Sequence, residues 1–119
     1  GDRARLLADG SIELHGRDAV TINSGGEKIF AEEVEAAVKL HPDVIDAVVV
    51  GRPSERWGHE VVAVVSLRPG SDASDDDLRA VCAEHLARYK LPKGFVRREL
   101  IARSPAGKPD YRWAREQAG

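Results

Sequence analysis

Two valine-rich runs, Val44-Ile45-Asp46-Ala47-Val48-Val49-Val50 and Val61-Val62-Ala63-Val64-Val65-Ser66-Leu67, decide most of what this chain can become. Both are β-branched, continuous and of strand length, so they read as buried strands, the first closed by Gly51. Between them, residues 52–60 read as a connection carrying Pro53, Trp57, Gly58 and His59. Neither Trp57 nor His59 has a partner at ligand or catalytic spacing. The tryptophan therefore reads as packing that anchors the loop and the histidine as a surface residue. With 119 residues, the chain supplies one domain and one modest core.

The other elements must cover those strands. Phe30, Val34, Ala37 and Val38 recur at helical spacing and predict a helix over residues 31–40, ended by His41-Pro42. Glu32, Glu33 and Glu35 crowd its first turns, where the helix dipole and solvation account for them better than a metal site does. Ser74 caps a second helix with Asp77 as its capping-box partner. Leu78, Val81, Cys82, His85 and Leu86 trace one face of that helix, which makes Cys82 core packing rather than a nucleophile. Residues 95–100 read as a third strand and residues 111–117 as a closing helix. Near the start, Leu6-Leu7 and Ile12-Glu13-Leu14 flank Asp9-Gly10, a hairpin signature over residues 5–15. This order predicts an α+β fold: a small, mainly antiparallel sheet with an N-terminal β-hairpin, covered by two to three helices.

Charge excludes several classes. Charged residues make up 32% of the chain but the formal net charge is only -2, which gives no electrostatic grip on nucleic acid or anionic lipid. A lone cysteine, Cys82, excludes an internal disulfide and fits a reducing cytoplasm. No apolar run approaches the roughly 20 residues of a membrane span, and the start lacks a signal-peptide pattern. The opening Gly1-Asp2 reads as the interior of a longer chain.

Two stretches carry chemistry. Gly107-Lys108-Pro109-Asp110-Tyr111-Arg112, after Arg103-Ser104-Pro105-Ala106, puts a lysine between glycine and proline on a mobile loop. A compact ammonium on a flexible stem can be swung onto a developing negative charge there, or stand as an ordinary exposed lysine. Upstream lies Gly16-Arg17-Asp18-Ala19-Val20-Thr21-Ile22-Asn23-Ser24-Gly25-Gly26-Glu27-Lys28-Ile29-Phe30-Ala31-Glu32-Glu33-Val34-Glu35. Its Ser24-Gly25-Gly26-Glu27-Lys28 segment is a loop, because adjacent glycines break both periodicities. It lacks the Walker spacing of a phosphate loop.

Together these stretches resemble the C-terminal domain of the adenylate-forming enzymes: acyl-CoA synthetases, adenylation domains and luciferases. The resemblance runs from Gly1-Asp2 through Asp9-Gly10 to Gly107-Lys108, with the elements in the family's order. It implies that residues 1–17 are a hairpin and hinge-proximal segment and residues 18–119 a mobile lid, the large N-terminal ATP and acyl domain being absent. By the same resemblance Asp2 and Arg17 bind nucleotide, Asp2 at the ribose hydroxyls and Arg17 around the ribose and phosphates. The hinge falls at Asp18 and Ala19. Many relatives carry aspartate or lysine at the Ala19 position, so switching here rests on backbone freedom. Ser24, Gly25, Gly26, Glu27 and Lys28 become the CoA-facing loop, and Lys108 the catalytic lysine of adenylation. Tyr89-Lys90-Leu91-Pro92-Lys93 resembles the family's lysine-x-proline link, with Lys90 either near the CoA phosphates or simply solvated.

The partners implied are the chain's own N-terminal domain, ATP, a carboxylic acid and CoA, with no nucleic acid. Any peripheral membrane association belongs to the full-length enzyme. ATP, Mg2+ and CoA are its reactants; no ligand and no ligase activity are expected of this chain alone. The blocks around Gly25-Gly26 and Gly107-Lys108 look most like those of actinobacterial fatty-acyl and sterol side-chain CoA synthetases. Two other readings stay open: the end of an aminoacyl adenylation domain feeding a carrier protein, and a non-catalytic module binding nucleotide or protein.

Overall fold

The computed structural model describes residues 20–119. In chain order it forms β1 (Thr21–Ser24), β2 (Glu27–Phe30), α1 (Ala31–Val38), β3 (Val44–Ser54), β4 (Gly58–Leu67), α2 (Asp75–Ala83), a 3₁₀ turn (Arg88–Lys90), β5 (Gly94–Arg97) and α3 (Tyr111–Ala118). The two valine-rich runs pair antiparallel as β3 and β4, from Val44 opposite Leu67 to Ser54 opposite Gly58, with a register irregularity between Val44 and Asp46. β5 adds to the far side of β4, giving the order β3-β4-β5.

This sheet is covered on both faces, which is why its central strands are valine-rich throughout rather than alternating. Ala47, Val49, Val61, Ala63, Val65 and Phe95 join Ile22 and Ile29 of the first hairpin, Val34 and Val38 of α1, and Leu78 and Cys82 of α2. The alternate residues Val48, Val50, Val62 and Val64 pack with Ala114 and Ala118 of α3 on the opposite face. Val48 and Val64 are fully buried, each contributing roughly 1.5–3 kcal/mol relative to exposure. α2 begins with a complete capping box: Ser74 Oγ accepts from the Asp77 amide at 3.0 Å and Asp77 Oδ2 accepts from the Ser74 amide at 3.0 Å. Asp110 caps α3 by accepting from the Trp113 amide at 3.0 Å.

The α+β architecture with its helices matches expectation, and several details differ from it; α2 ends at Ala83, so His85 and Leu86 follow the helix, Leu86 packing on the core and His85 exposed. The Ser24-to-Lys28 loop is the tip of a genuine hairpin, with Ser24 opposite Glu27 and Ile22 opposite Ile29. β3 runs past Gly51 to Ser54, so most of the supposed connection over residues 52–60 is paired strand. Pro53 is tolerated because β3 is an edge strand, and an ion pair between Arg52 and Glu60 ties the two strands together there. β5 runs parallel to β4, since the chain between them crosses back through α2. It ends at Arg97, opposite Val65, close to where β4 itself ends. The hairpin expected over residues 5–15 lies outside the described residues.

Candidate functional site

At one end of the long β3–β4 hairpin sits the glycine turn. Gly25 and Gly26 have φ of +59° and +86°, the pair of positive values that a two-residue hairpin turn demands. The Gly25 amide donates to the Trp57 carbonyl at 2.9 Å, fastening this turn to the β3–β4 turn. A Cβ on Gly25 would lie 2.9 Å from Trp57 Cε3, so the indole fills the space a side chain would need. The indole is flanked by two cations, Arg56 with its guanidinium 4.8 Å and Lys93 with its ammonium 5.0 Å from the ring centre. Trp57 thus anchors its loop as the sequence suggested, and it also shapes the glycine turn.

Beneath that turn opens a groove of about 420 Å³ lined by Ser24, Gly25, Glu27, Trp57, Arg88, Tyr89 and Lys93. Its size falls in the range of small-molecule sites. Its lining joins the Trp57 and Tyr89 rings and the Gly25 backbone to two cations, Arg88 and Lys93, and one carboxylate, Glu27, a combination with net positive charge that suits a slender chain ending in an anionic group. Lys90 stands apart from it: its Nζ donates to both Glu33 carboxylate oxygens at 2.9 and 3.0 Å, binding the 3₁₀ turn to α1. That hydrogen bond, with the Glu33 charge, raises the Lys90 pKa and keeps the ammonium protonated. His59 is exposed, as expected.

At the other end of β3 lies the lysine loop. Arg103 and Pro109 form an antiparallel bridge. Inside it the Gly107 amide donates to the Ser104 carbonyl at 2.8 Å, and the Ser104 amide donates to the Lys108 carbonyl at 2.8 Å. Gly107, at φ +86°, supplies the left-handed residue of this turn, and Lys108 emerges exposed directly after it. Arg103 Nε donates to Asp46 Oδ2 at 2.8 Å with a second guanidinium contact to Oδ1, a two-pronged ion pair near the start of β3. Burial alone pushes the Asp46 carboxyl upward. The Arg103 hydrogen bond, the Ala47 amide and the charges of Arg103 and Lys39 together outweigh it and hold its pKa below the usual range.

The first residue of α3 adds a second tie. Tyr111 Oη donates to Glu35 Oε2 at 2.9 Å, and the same oxygen accepts from the Val49 amide at 2.9 Å. Glu35 is only 6% exposed, although its neighbours Glu32 and Glu33 face solvent. Burial raises the pKa of Glu35, opposed by these two hydrogen bonds. Burial, then the charge and hydrogen bond of Glu35, raises that of Tyr111 and keeps the phenol protonated as a donor. Helix-dipole complementarity and solvation therefore describe Glu32 and Glu33 but not Glu35, which satisfies an edge-strand amide of β3 in the interior.

Sequence and structure comparison places this arrangement. Residues 33–108 match the family model described as the AMP-binding enzyme C-terminal domain. The chain belongs to that family. It is 66% identical over 118 residues to the medium-chain acyl-CoA ligase Mig of Mycobacterium avium, covering 99% of this chain and 22% of the relative. To the 3-oxocholest-4-en-26-oate--CoA ligase of Rhodococcus rhodochrous it is 53% identical, covering 100% of this chain and 21% of that one. Among solved structures, the Mycobacterium tuberculosis fatty acyl CoA synthetase superposes with a TM-score of 0.75 at 37% identity, over 82% of this chain and 19% of that chain. The chain thus spans about a fifth of the length of the curated relatives it matches.

Within this C-terminal domain, Ser24, Gly25, Gly26, Glu27 and Lys28 gather at one end and Lys108 at the other. Asp2, Arg17, Asp18 and Ala19 lie outside the described residues. Sequence reasoning did not single out Arg103, Asp46, Tyr111 and Glu35 as partners. For Glu35 a signal existed: it occupies the buried stripe of α1 together with Ala31, Val34 and Val38. Among the described residues no helix is long and apolar enough to cross a membrane.

Proposed function

We propose that this domain is the C-terminal lid of an ATP-dependent CoA ligase acting on a fatty acid or a sterol side-chain carboxylate, and that it serves two half-reactions in turn. The separation of its two loops carries the reading. The glycine turn is fastened to the far end of β3 beyond Ser54, and the lysine loop is fastened to Asp46. From Asp46 to Ser54 the strand spans roughly 26 Å at about 3.3 Å per residue. Two loops that far apart on one rigid sheet do not reach a single reacting carbon together, so serving both steps requires the domain to turn.

In the first step a carboxylate attacks the α-phosphate of ATP, forming the acyl-adenylate and releasing pyrophosphate. The Lys108 ammonium lies against both anions, offsetting their repulsion and the charge that grows in transit, an effect commonly of about 3–4 kcal/mol for one group. In the second step the domain rotates about Asp18 and Ala19, which withdraws Lys108 and brings Ser24 to Lys28 to the adenylate. The CoA thiol then attacks the acyl carbon and AMP leaves, with the pantetheine arm in the groove against Trp57 and the basic rim of Arg88 and Lys93 toward its phosphates. Asp2 and Arg17 contact the nucleotide from the hinge-proximal segment, residues 1–17.

Magnesium enters with ATP as part of the substrate. Among the described residues no cluster of three His, Cys, Asp or Glu side chains is placed to hold a metal, and no step is assigned to it on this domain. The nucleotide pocket and acyl tunnel belong to the N-terminal domain that this lid closes upon, and the lid alone is expected to be inactive. The names of the relatives from Mycobacterium avium and Rhodococcus rhodochrous support the acyl class.

The test is acyl-adenylate formation by the full-length enzyme and its Lys108→Ala variant, with a panel of fatty acids and sterol side-chain acids. The variant should lose about 10²–10³ in adenylation rate. Unchanged adenylation would remove the lysine from this role.

A further inference from the structure

Among the described residues, the loop that carries Lys108 is moored from outside on each side of it in sequence. Upstream, the Arg103 guanidinium makes three contacts at once: two to the Asp46 carboxylate and one, from Nη1, to the Gly107 carbonyl at 2.8 Å. That carbonyl belongs to the peptide from which Lys108 leaves. Because the guanidinium is a rigid planar fork, fixing two of its prongs on Asp46 fixes where the third holds Gly107. Asp46 is itself oriented, since its Oδ1 accepts from the Ala47 amide at 2.9 Å.

Downstream, Tyr111 docks on Glu35, whose carboxylate is held by the Val49 amide. Both anchors therefore rest on packed secondary structure, α1 and the edge of β3, rather than on the loop. The contacts inside the loop close its turn but leave its direction relative to the sheet to be set from outside.

We propose that Arg103 on Asp46 and Tyr111 on Glu35 form a two-point mount that sets where Lys108 is delivered, making these four residues positioning residues for adenylation and not for thioester formation. This rests on the reading that Lys108 acts in adenylation. The glycine turn and its groove are fastened at the opposite end of β3, so loosening the mount leaves them in place. None of the four touches substrate in this account. Their effect passes through the placement of an ammonium, for which displacement by about 1 Å is enough to cost up to roughly a hundredfold in rate.

The experiment uses the full-length enzyme with Asp46→Asn, Tyr111→Phe and, in parallel, Lys108→Ala. Each is assayed for acyl-adenylate formation from ATP and a fatty acid, and for thioester formation from supplied acyl-adenylate and CoA. Tyr111→Phe is nearly isosteric and Asp46→Asn keeps the size of the side chain, and thermal melts confirm that both remain folded. The expected result is an adenylation kcat lower by about 10- to 100-fold in both mount variants, with thioester formation within about twofold of the parent. Asp46→Glu, which restores a carboxylate for the fork, should recover most of the lost rate. Parallel losses in both half-reactions would reveal a merely structural role and overturn the proposal. Full adenylation in the mount variants beside a disabled Lys108→Ala would overturn the mount and leave the lysine's role standing. An active Lys108→Ala would remove the premise, and the mount with it.

Discussion

Replacing Gly25 or Gly26 by alanine separates the two reasons for having glycine in this turn. Both residues have positive φ, so either substitution places a Cβ in the left-handed region at a cost of roughly 1–2 kcal/mol. At Gly26 nothing lies within 4 Å of the new atom, and that cost is the whole effect. At Gly25 the Cβ would stand 2.9 Å from Trp57 Cε3 and 3.3 Å from Cζ3. Moving the indole away disturbs its contacts with Arg56 and Lys93 and pulls on the backbone bond from the Gly25 amide to the Trp57 carbonyl. Overpacking of that kind typically adds about 1–3 kcal/mol, bringing Gly25→Ala to roughly 2–5 kcal/mol. Urea unfolding of the 119-residue chain, followed by fluorescence of Trp57 and Trp113, reads the difference directly. Gly25→Ala should be the weaker protein by about 1–3 kcal/mol. Equal losses, or a milder Gly25→Ala, would refute the claim that Trp57 presses on the turn.

Burial holds the Glu35 carboxyl above its ordinary value, opposed by hydrogen bonds from the Val49 amide and Tyr111, with the Glu32 charge adding to the rise and the Lys39 charge countering it. A raised folded-state pKa gives a contribution to stability that is full below the unfolded value and lost as pH rises through the folded one. Measured by urea unfolding across that window, the parent should therefore lose ground to Glu35→Gln as pH rises; a parent that gained on the variant would contradict the assignment. Cys82 is fully buried and its thiol is pushed up to about 11 by burial, partly offset by the Arg79 charge. A thiol-specific reagent at mildly alkaline pH should leave the folded chain unmodified and label it at once in denaturant, whereas rapid labelling of the folded chain would place the thiol at the surface.

The legible part of the fold was the part set by local pattern. The valine runs, the α1 periodicity and the Ser74-to-Asp77 capping box each depend on neighbours in sequence, and each appears where the pattern put it. What escaped depended on pairing. β1 and β2 are four residues each and only half-buried, so their strand character comes from facing one another across Gly25 and Gly26. The extension of β3 through Arg52 and Pro53 was hidden because Gly51 and Pro53 are poor strand residues, and the segment is held by the opposing Glu60 and His59. The glycine turn and the lysine loop stood out through their glycines and lysine, but their placement at opposite ends of one hairpin follows only from the register. The ties from Arg103 to Asp46 and from Tyr111 to Glu35 likewise join residues remote in sequence.

The most direct test of a lid that serves two steps with two separate loops is a crossed measurement in the full-length enzyme. Lys108→Ala and Gly25→Ala are each assayed for adenylate formation and for thioester formation from supplied adenylate, at a temperature where both remain folded. The account predicts opposite losses: Lys108→Ala loses adenylation and keeps thioester formation, and Gly25→Ala does the reverse. If both variants lose the same half-reaction, or both lose the two in parallel, the loops do not divide the work and the turning lid is contradicted.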